Sequence, residues 1–114
     1  MKFRFHPSAR SELIHAVEYY ESCEPGLGRA FLDEVQHAVA RAASNPSAWS
    51  PFSPRARRCP TRKFPFFVIY RAHHDHLQVL AIANMRGRPG YWAARLNENK
   101  GPYDAHPPET TGNM

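Results

Sequence analysis

Lys2 to His6 alternates polar and apolar positions, with Phe3 and Phe5 on one face, and this period of two predicts a short strand. Pro7-Ser8 then opens a helix, with Ser8 as the expected N-cap because its hydroxyl can accept from a free amide one turn on. Ala9, Leu13, Ala16, Val17 and Tyr20 repeat at helical spacing and form one buried stripe, which Glu12, Glu18 and Glu21 mostly avoid. Tyr19 and Tyr20 straddle that stripe, so one belongs to the core and the other to the surface. Glu24-Pro25-Gly26 ends the helix. A second helix is expected from about Leu27 to Ser44, with Leu27, Phe31, Val35, Ala38, Val39 and Ala42 inward and Asn45-Pro46 as its stop. So short a connection predicts an antiparallel helix hairpin.

Residues 46–54 carry three prolines and read as a loop rather than sheet, pinned to the body by Trp49 and Phe52. Arg57 to Phe64 is polar and basic, with Pro60 placing it at an edge or in an irregular stretch. Phe66 to Arg71 and Leu77 to Ala83 are nearly continuous apolar runs, joined by a turn at His73-His74-Asp75-His76. Pro89 to Leu96 is expected to form a short closing helix. The reading is an α+β domain over 1–96, in the order β-α-α-β-β-β, with the helix hairpin packed on a small, mainly antiparallel sheet. Residues 97–114, with three prolines and few apolar residues, read as a poorly ordered tail.

Composition changes the picture mainly through charge. The chain of 114 residues has a formal net charge of +5. Residues 51–96 hold nine Lys/Arg against the single acid Asp75, whereas residues 1–50 are nearly balanced. That asymmetry points to a polyanion or an acidic protein as partner. No apolar run approaches the ~20 residues a membrane span requires, and residues 1–7, with charge interleaved among aromatics and no apolar block, are not expected to act as a secretory signal. Cys23 and Cys59 lack the number and spacing of a disulfide or metal framework and read as reduced thiols of a cytoplasmic protein.

Several residues together resemble the RelE/ParE toxin superfamily of bacterial type II toxin–antitoxin modules. They are Tyr19-Tyr20-Glu21, Gly26-Leu27-Gly28 with Phe31 and Glu34-Val35, and Asn45-Pro46. Further on come Arg62, Phe64-Pro65-Phe66, Val68-Ile69-Tyr70-Arg71 and Ala81-Ile82-Ala83-Asn84, then Arg86, Arg88-Pro89 and Tyr91-Trp92. The resemblance leans to the ParE-like, plasmid-stabilisation branch. It implies a growth-inhibiting toxin, neutralised by a cognate acidic antitoxin in a hetero-oligomer, with DNA gyrase as target and no cofactor. The RelE-like branch implies instead ribosome-dependent cleavage of messenger RNA, and a plain nucleic-acid-binding module is a third reading. Where the family usually has a histidine this chain has Asn84, whose amide cannot trade a proton near neutral pH.

Metal-free cleavage by an internal 2′-hydroxyl needs a proton acceptor, cations for the phosphate and a donor for the leaving oxygen. The positions matching the RelE-like pattern are Arg62 and Lys63, expected on the first strand after the helices, with Arg86 and Tyr91. Arg58, Arg71, Arg88 and Trp92 are the candidates for contact with antitoxin or target, and Tyr70, Tyr91 and Trp92 with their arginines resemble a stacking surface. These cations are expected to share one rim of the sheet. The His73–His76 cluster reads as a solvated turn rather than a metal site, and His15 and His37 as surface or border residues. Cys59 sits among arginines, which would lower its pKa.

Overall fold

Three sets of breaking residues divide the chain where its pattern changes, and the computed structural model, which describes residues 2–97, follows them closely. Strand β1 (Lys2–Phe5) leads into α1 (Pro7–Cys23), which ends at an extended Glu24. Helix α2 (Leu27–Ser44) begins after Gly26, whose φ of 90° is a left-handed conformation that glycine adopts without a Cβ clash. The first helix is capped differently from expectation. His6, not Ser8, is the N-cap, and its Nδ1 accepts from Ser8 N at 3.0 Å. Pro7 takes the first helical position, where its missing N–H costs nothing.

The helices pack as a hairpin whose close approach depends on Gly28. A Cβ there would lie 2.7 Å from Val17 O. The Glu21 carboxylate accepts from Gly26 N and Gly28 N, supplying α2 with the N-terminal acceptor that Gly26 lacks.

Among the described residues five strands follow the order β1-β5-β4-β3-β2. Strand β2 (Ser50–Ser53) lies within the proline-rich stretch expected to be loop, so the sheet has one strand more than the pattern indicated. Proline is tolerated there because β2 is an edge and needs no second ladder. Strand β3 (Ala56–Pro60) is shorter than the basic stretch 57–64, and β4 (Phe66–Ala72) and β5 (His76–Asn84) form the central hairpin. All pairings are antiparallel except β1 with β5. The expected closing helix is a single 3₁₀ segment, Ala93–Asn97. Apart from Asn97, the tail assigned to 97–114 lies outside the described residues.

Both faces of the sheet are covered. On the helix side Val68, Tyr70, Leu77, Val79 and Ile82 pack against Ala9, Phe31, Val35, Ala38 and Ala42. Beside them Tyr20, Phe31, Phe64 and Phe66 form an aromatic cluster with ring centroids 4.9–6.2 Å apart. On the opposite face Ile69, Leu80, Ala81 and Ala83 are covered by Trp92, Leu96 and Phe52. A bulge makes this two-sided packing possible. Ile69 pairs with Ala81 and Tyr70 with Val79, leaving Leu80 unmatched. Beyond that extra residue the alternation of β5 changes phase, so Leu80 and Ala81 both serve the second face while Ile82 serves the first.

Candidate functional site

Strand β1 pairs with β5 only as far as Phe5 and Val79, with one further bond from His6 N to Val79 O. Past that point the outer edge of β5 has no neighbouring strand among the described residues, and side chains take over. Glu12, one turn into α1, accepts from Ile82 N at 3.0 Å. Arg95 donates to Leu80 O at 2.8 Å and meets both oxygens of Glu12 at 3.1 and 2.9 Å. Tyr91 donates its hydroxyl to Glu12 Oε2 at 2.8 Å. One carboxylate and one guanidinium thus satisfy backbone groups that a longer β1 would have paired. Their side chains are 24 % and 14 % exposed, so the pair is largely shielded from water. The residues after β5 wrap this edge: Tyr91 and Arg95 reach α1 on one side, and Trp92 enters the core on the other.

Glu12 and Tyr91 also line an open groove of about 460 Å³ between α1 and the end of β5, together with His15, Tyr19, Phe66 and Asn84. Tyr19, 63 % exposed, stands at its wall while Tyr20 belongs to the aromatic cluster. The Tyr91 hydroxyl is pushed well above the ordinary tyrosine range, first by burial and then by the Glu12 carboxylate that accepts its proton. A phenol held this way is no base near neutral pH. Asn84 is occupied too: its Oδ1 accepts from Arg86 N at 2.8 Å, closing a turn that Gly87 N completes on Asn84 O at 2.9 Å.

The cations expected to share a rim divide into groups. Arg62 and Lys63 are not on a strand; they lie in the turn between β3 and β4. That turn is held by Thr61, whose N donates to Phe66 O at 2.9 Å and whose hydroxyl lies 2.9 and 3.0 Å from Phe64 O and Phe66 O. Arg86 and Arg88 follow β5 at the same end of the sheet, since Phe66 pairs with Asn84 and Met85 N donates to Pro65 O at 2.8 Å. All four are exposed. Arg58 and Arg71 lie elsewhere. The Arg58 guanidinium is stacked between the Phe52 and Phe67 rings, 4.7 and 4.8 Å from their centroids. Arg71 sits toward the opposite end, bonded to Gln78 Oε1 at 3.1 Å.

Two aromatic expectations are corrected outright. Trp92 is only 2 % exposed and packs on Phe52, and Tyr70 is fully buried with its hydroxyl donating to Pro46 O at 2.6 Å. Arg71 follows Tyr70, and Arg88 and Arg95 lie within four positions of Trp92, but both aromatic side chains face the core, so neither presents a stacking surface. Cys59 is corrected as well. It is fully buried, and burial pushes its thiol up despite the opposing influence of Arg41 and Arg62.

In the His73–His76 turn the two outer rings stack 4.5 Å apart, His73 faces Gln78, and His76 bonds Asp75. Among the described residues no three His, Cys, Asp or Glu side chains are grouped to hold a metal ion, and no helix is long and apolar enough to cross a membrane. Glu12 escaped the sequence reading because its partners lie about 70–80 positions away. Its one local sign was a carboxylate bordering the apolar stripe.

Comparison with known proteins follows the same outline. Residues 3–89 match the family model described as ParE toxin of type II toxin–antitoxin system, parDE. Toxin ParE2 of Mycobacterium tuberculosis, from strains CDC 1551 / Oshkosh and ATCC 25618 / H37Rv, is 25 % identical over 100 residues, which span 84 % of this chain and 92 % of that one. A solved structure titled "Chromosomal ParDE TA system from P. aeruginosa" has the same fold, with a TM-score of 0.66 at 18 % identity over 75 % of this chain and 97 % of that one. Tyr91, Trp92 and Arg95, which close the β5 edge, lie just beyond the stretch matched by the family model.

Proposed function

The chain belongs to the ParE toxin family of type II toxin–antitoxin systems, and from that premise we propose that it stops growth by binding DNA gyrase rather than by cutting RNA. It is the toxin of such a system, which implies an antitoxin as partner. In the reading advanced here that antitoxin is acidic and forms a cytoplasmic hetero-oligomer with the toxin, masking its basic half.

The observation that carries the gyrase reading is the state of the proton-transfer candidates. Tyr91 gives its hydroxyl proton to a hydrogen bond with Glu12, and the Asn84 amide closes a backbone turn. Arg62, Lys63 and Arg86 carry positive charge; an ammonium can give a proton to a leaving oxygen, but none of the three in its charged form can take one from a 2′-hydroxyl. A set of that kind suits binding.

Induction of the toxin in cells tests the reading. The expected result is a raised SOS response, with cleaved DNA trapped on gyrase and transcripts intact. Cuts at ribosomal A-site codons that vanish in Arg86→Ala with Tyr91→Ala would replace gyrase by the ribosome as target.

A further inference from the structure

The turn at Thr61–Pro65 and the loop at Asn84–Arg88 form a single rigid, cationic end of the sheet. Met85 N donates to Pro65 O, Thr61 locks one loop, and Asn84 locks the other. The side chains of Lys63, Arg86 and Arg88 make no hydrogen bond or ion pair among the described residues, and Arg62 acts only electrostatically on the buried Cys59 thiol. Neighbouring carboxylates are already engaged, Glu12 by Arg95 and Glu21 by the start of α2, while Asp75 lies in the hairpin at the far end. Lys63 has a φ of 72°, a left-handed conformation that glycine or asparagine adopts more readily. The turn therefore carries a cation at a position where backbone preference favours another residue, a cost that tends to mark functional positions.

From these observations we infer that this end is a binding surface for the phosphate backbone of duplex DNA, with Arg62, Lys63, Arg86 and Arg88 as its contacts. Four unpaired cations on loops already held in place lose little freedom when they meet phosphates. Duplex is favoured over single strands because the one aromatic residue of the two loops, Phe64, is packed into the aromatic cluster and offers no face for unpaired bases. Tyr70 and Trp92 are in the core, and the exposed rings of Tyr19 and Tyr91 lie in the groove beside α1 rather than on these loops. An acidic protein segment is the rival occupant. The surface is charged rather than aromatic at its loop tips, and this suits phosphates better than a protein hot spot. For its setting the inference rests on the gyrase reading, since gyrase holds duplex DNA, but its measurement does not involve gyrase.

The test is fluorescence anisotropy of the full chain with a labelled 20-base-pair duplex over a salt series. Four phosphate contacts predict a slope of log affinity against log salt of about −3 to −4. The variant pairs Arg62→Gln with Lys63→Asn, and Arg86→Gln with Arg88→Gln, should each flatten that slope by about 2 and weaken binding at least about tenfold at low salt. Arg29→Gln on α2 should change neither, and Arg86→Lys with Arg88→Lys should preserve the slope. Unchanged duplex binding in both neutral pairs overturns the inference. So does tighter binding to single-stranded RNA of equal length, or loss of antitoxin binding with the duplex slope intact. Loss of SOS induction alongside normal duplex binding would count against gyrase alone.

Discussion

The two boundaries of β5 use the same residue type in opposite ways. Along its outer edge Arg95 is enclosed: it completes the backbone of Leu80, pairs with Glu12 and lies against the Tyr91 ring. At its C-terminal end Arg86 and Arg88 stand on a closed turn with no side-chain partner among the described residues. The guanidinium groups do not differ in chemistry; they differ in what surrounds them. Where α1 supplies a carboxylate, arginine replaces a missing strand. Where no carboxylate arrives, it remains available to an anion outside the molecule. A charge count over residues 51–96 adds the two together and overstates the binding surface.

The comparison fails most visibly if the enclosed edge proves dispensable. Glu12→Ala leaves the Tyr91 hydroxyl and Ile82 N without their acceptor and Arg95 with only Leu80 O, and should cost about 2–3 kcal/mol in urea unfolding. A change below about 0.5 kcal/mol would show that the edge is held by apolar packing alone.

The same edge should also respond to alkali. Tyr91 and Tyr70 both have pKa values raised on folding, Tyr70 to about 12 from 10.0, chiefly by burial. Their contribution is complete below pH ~10 and is lost as pH rises through the folded values, because the unfolded chain releases those protons first. The thermal midpoint should therefore fall above pH ~10, less steeply in Tyr91→Phe and in Tyr70→Phe. Parallel curves in all three proteins would remove the phenols from the account.

At the cationic end the expected effects are smaller. Lys63→Asn relieves a left-handed lysine and should raise stability by about 0.5–1 kcal/mol. Arg86→Gln with Arg88→Gln should leave the unfolding midpoint within about 0.5 kcal/mol of the parent, as expected of charges without partners. A larger loss would mean that these side chains support the fold, and the contrast between the two boundaries would vanish.

Local signals served the fold well. Pro7, Pro25-Gly26 and Asn45-Pro46 bound the helices because each blocks helical continuation through its own backbone. The β4 and β5 runs stood out because strands covered on both faces need apolar residues at every position. Strand β2 was hidden because proline argues against sheet everywhere except at an edge, and edge status is a property of the assembled molecule. The site was less visible for a related reason. Tyr70 beside Arg71, and Trp92 between Arg88 and Arg95, look alike in sequence whether they face solvent or core, and only the bulge and the C-terminal wrap decide which. Glu12 has no local partner at all. Arg62, Lys63, Arg86 and Arg88 were the legible part, since both loops that carry them adjoin strands whose pairing the apolar pattern already implied.

Leu80, the surplus residue of β5, has a consequence for how this fold tolerates change in length. Deleting Leu80 would make Val79 and Ala81 successive, still paired with Tyr70 and Ile69, so Ala81 to Ala83 would keep their faces and only the leucine's packing beside Trp92 would be lost. Loss of the surplus residue can thus be absorbed as slack, whereas a deletion in the regular part of β5 reverses every later position, and viable homologues should differ in length at the bulge rather than beyond it.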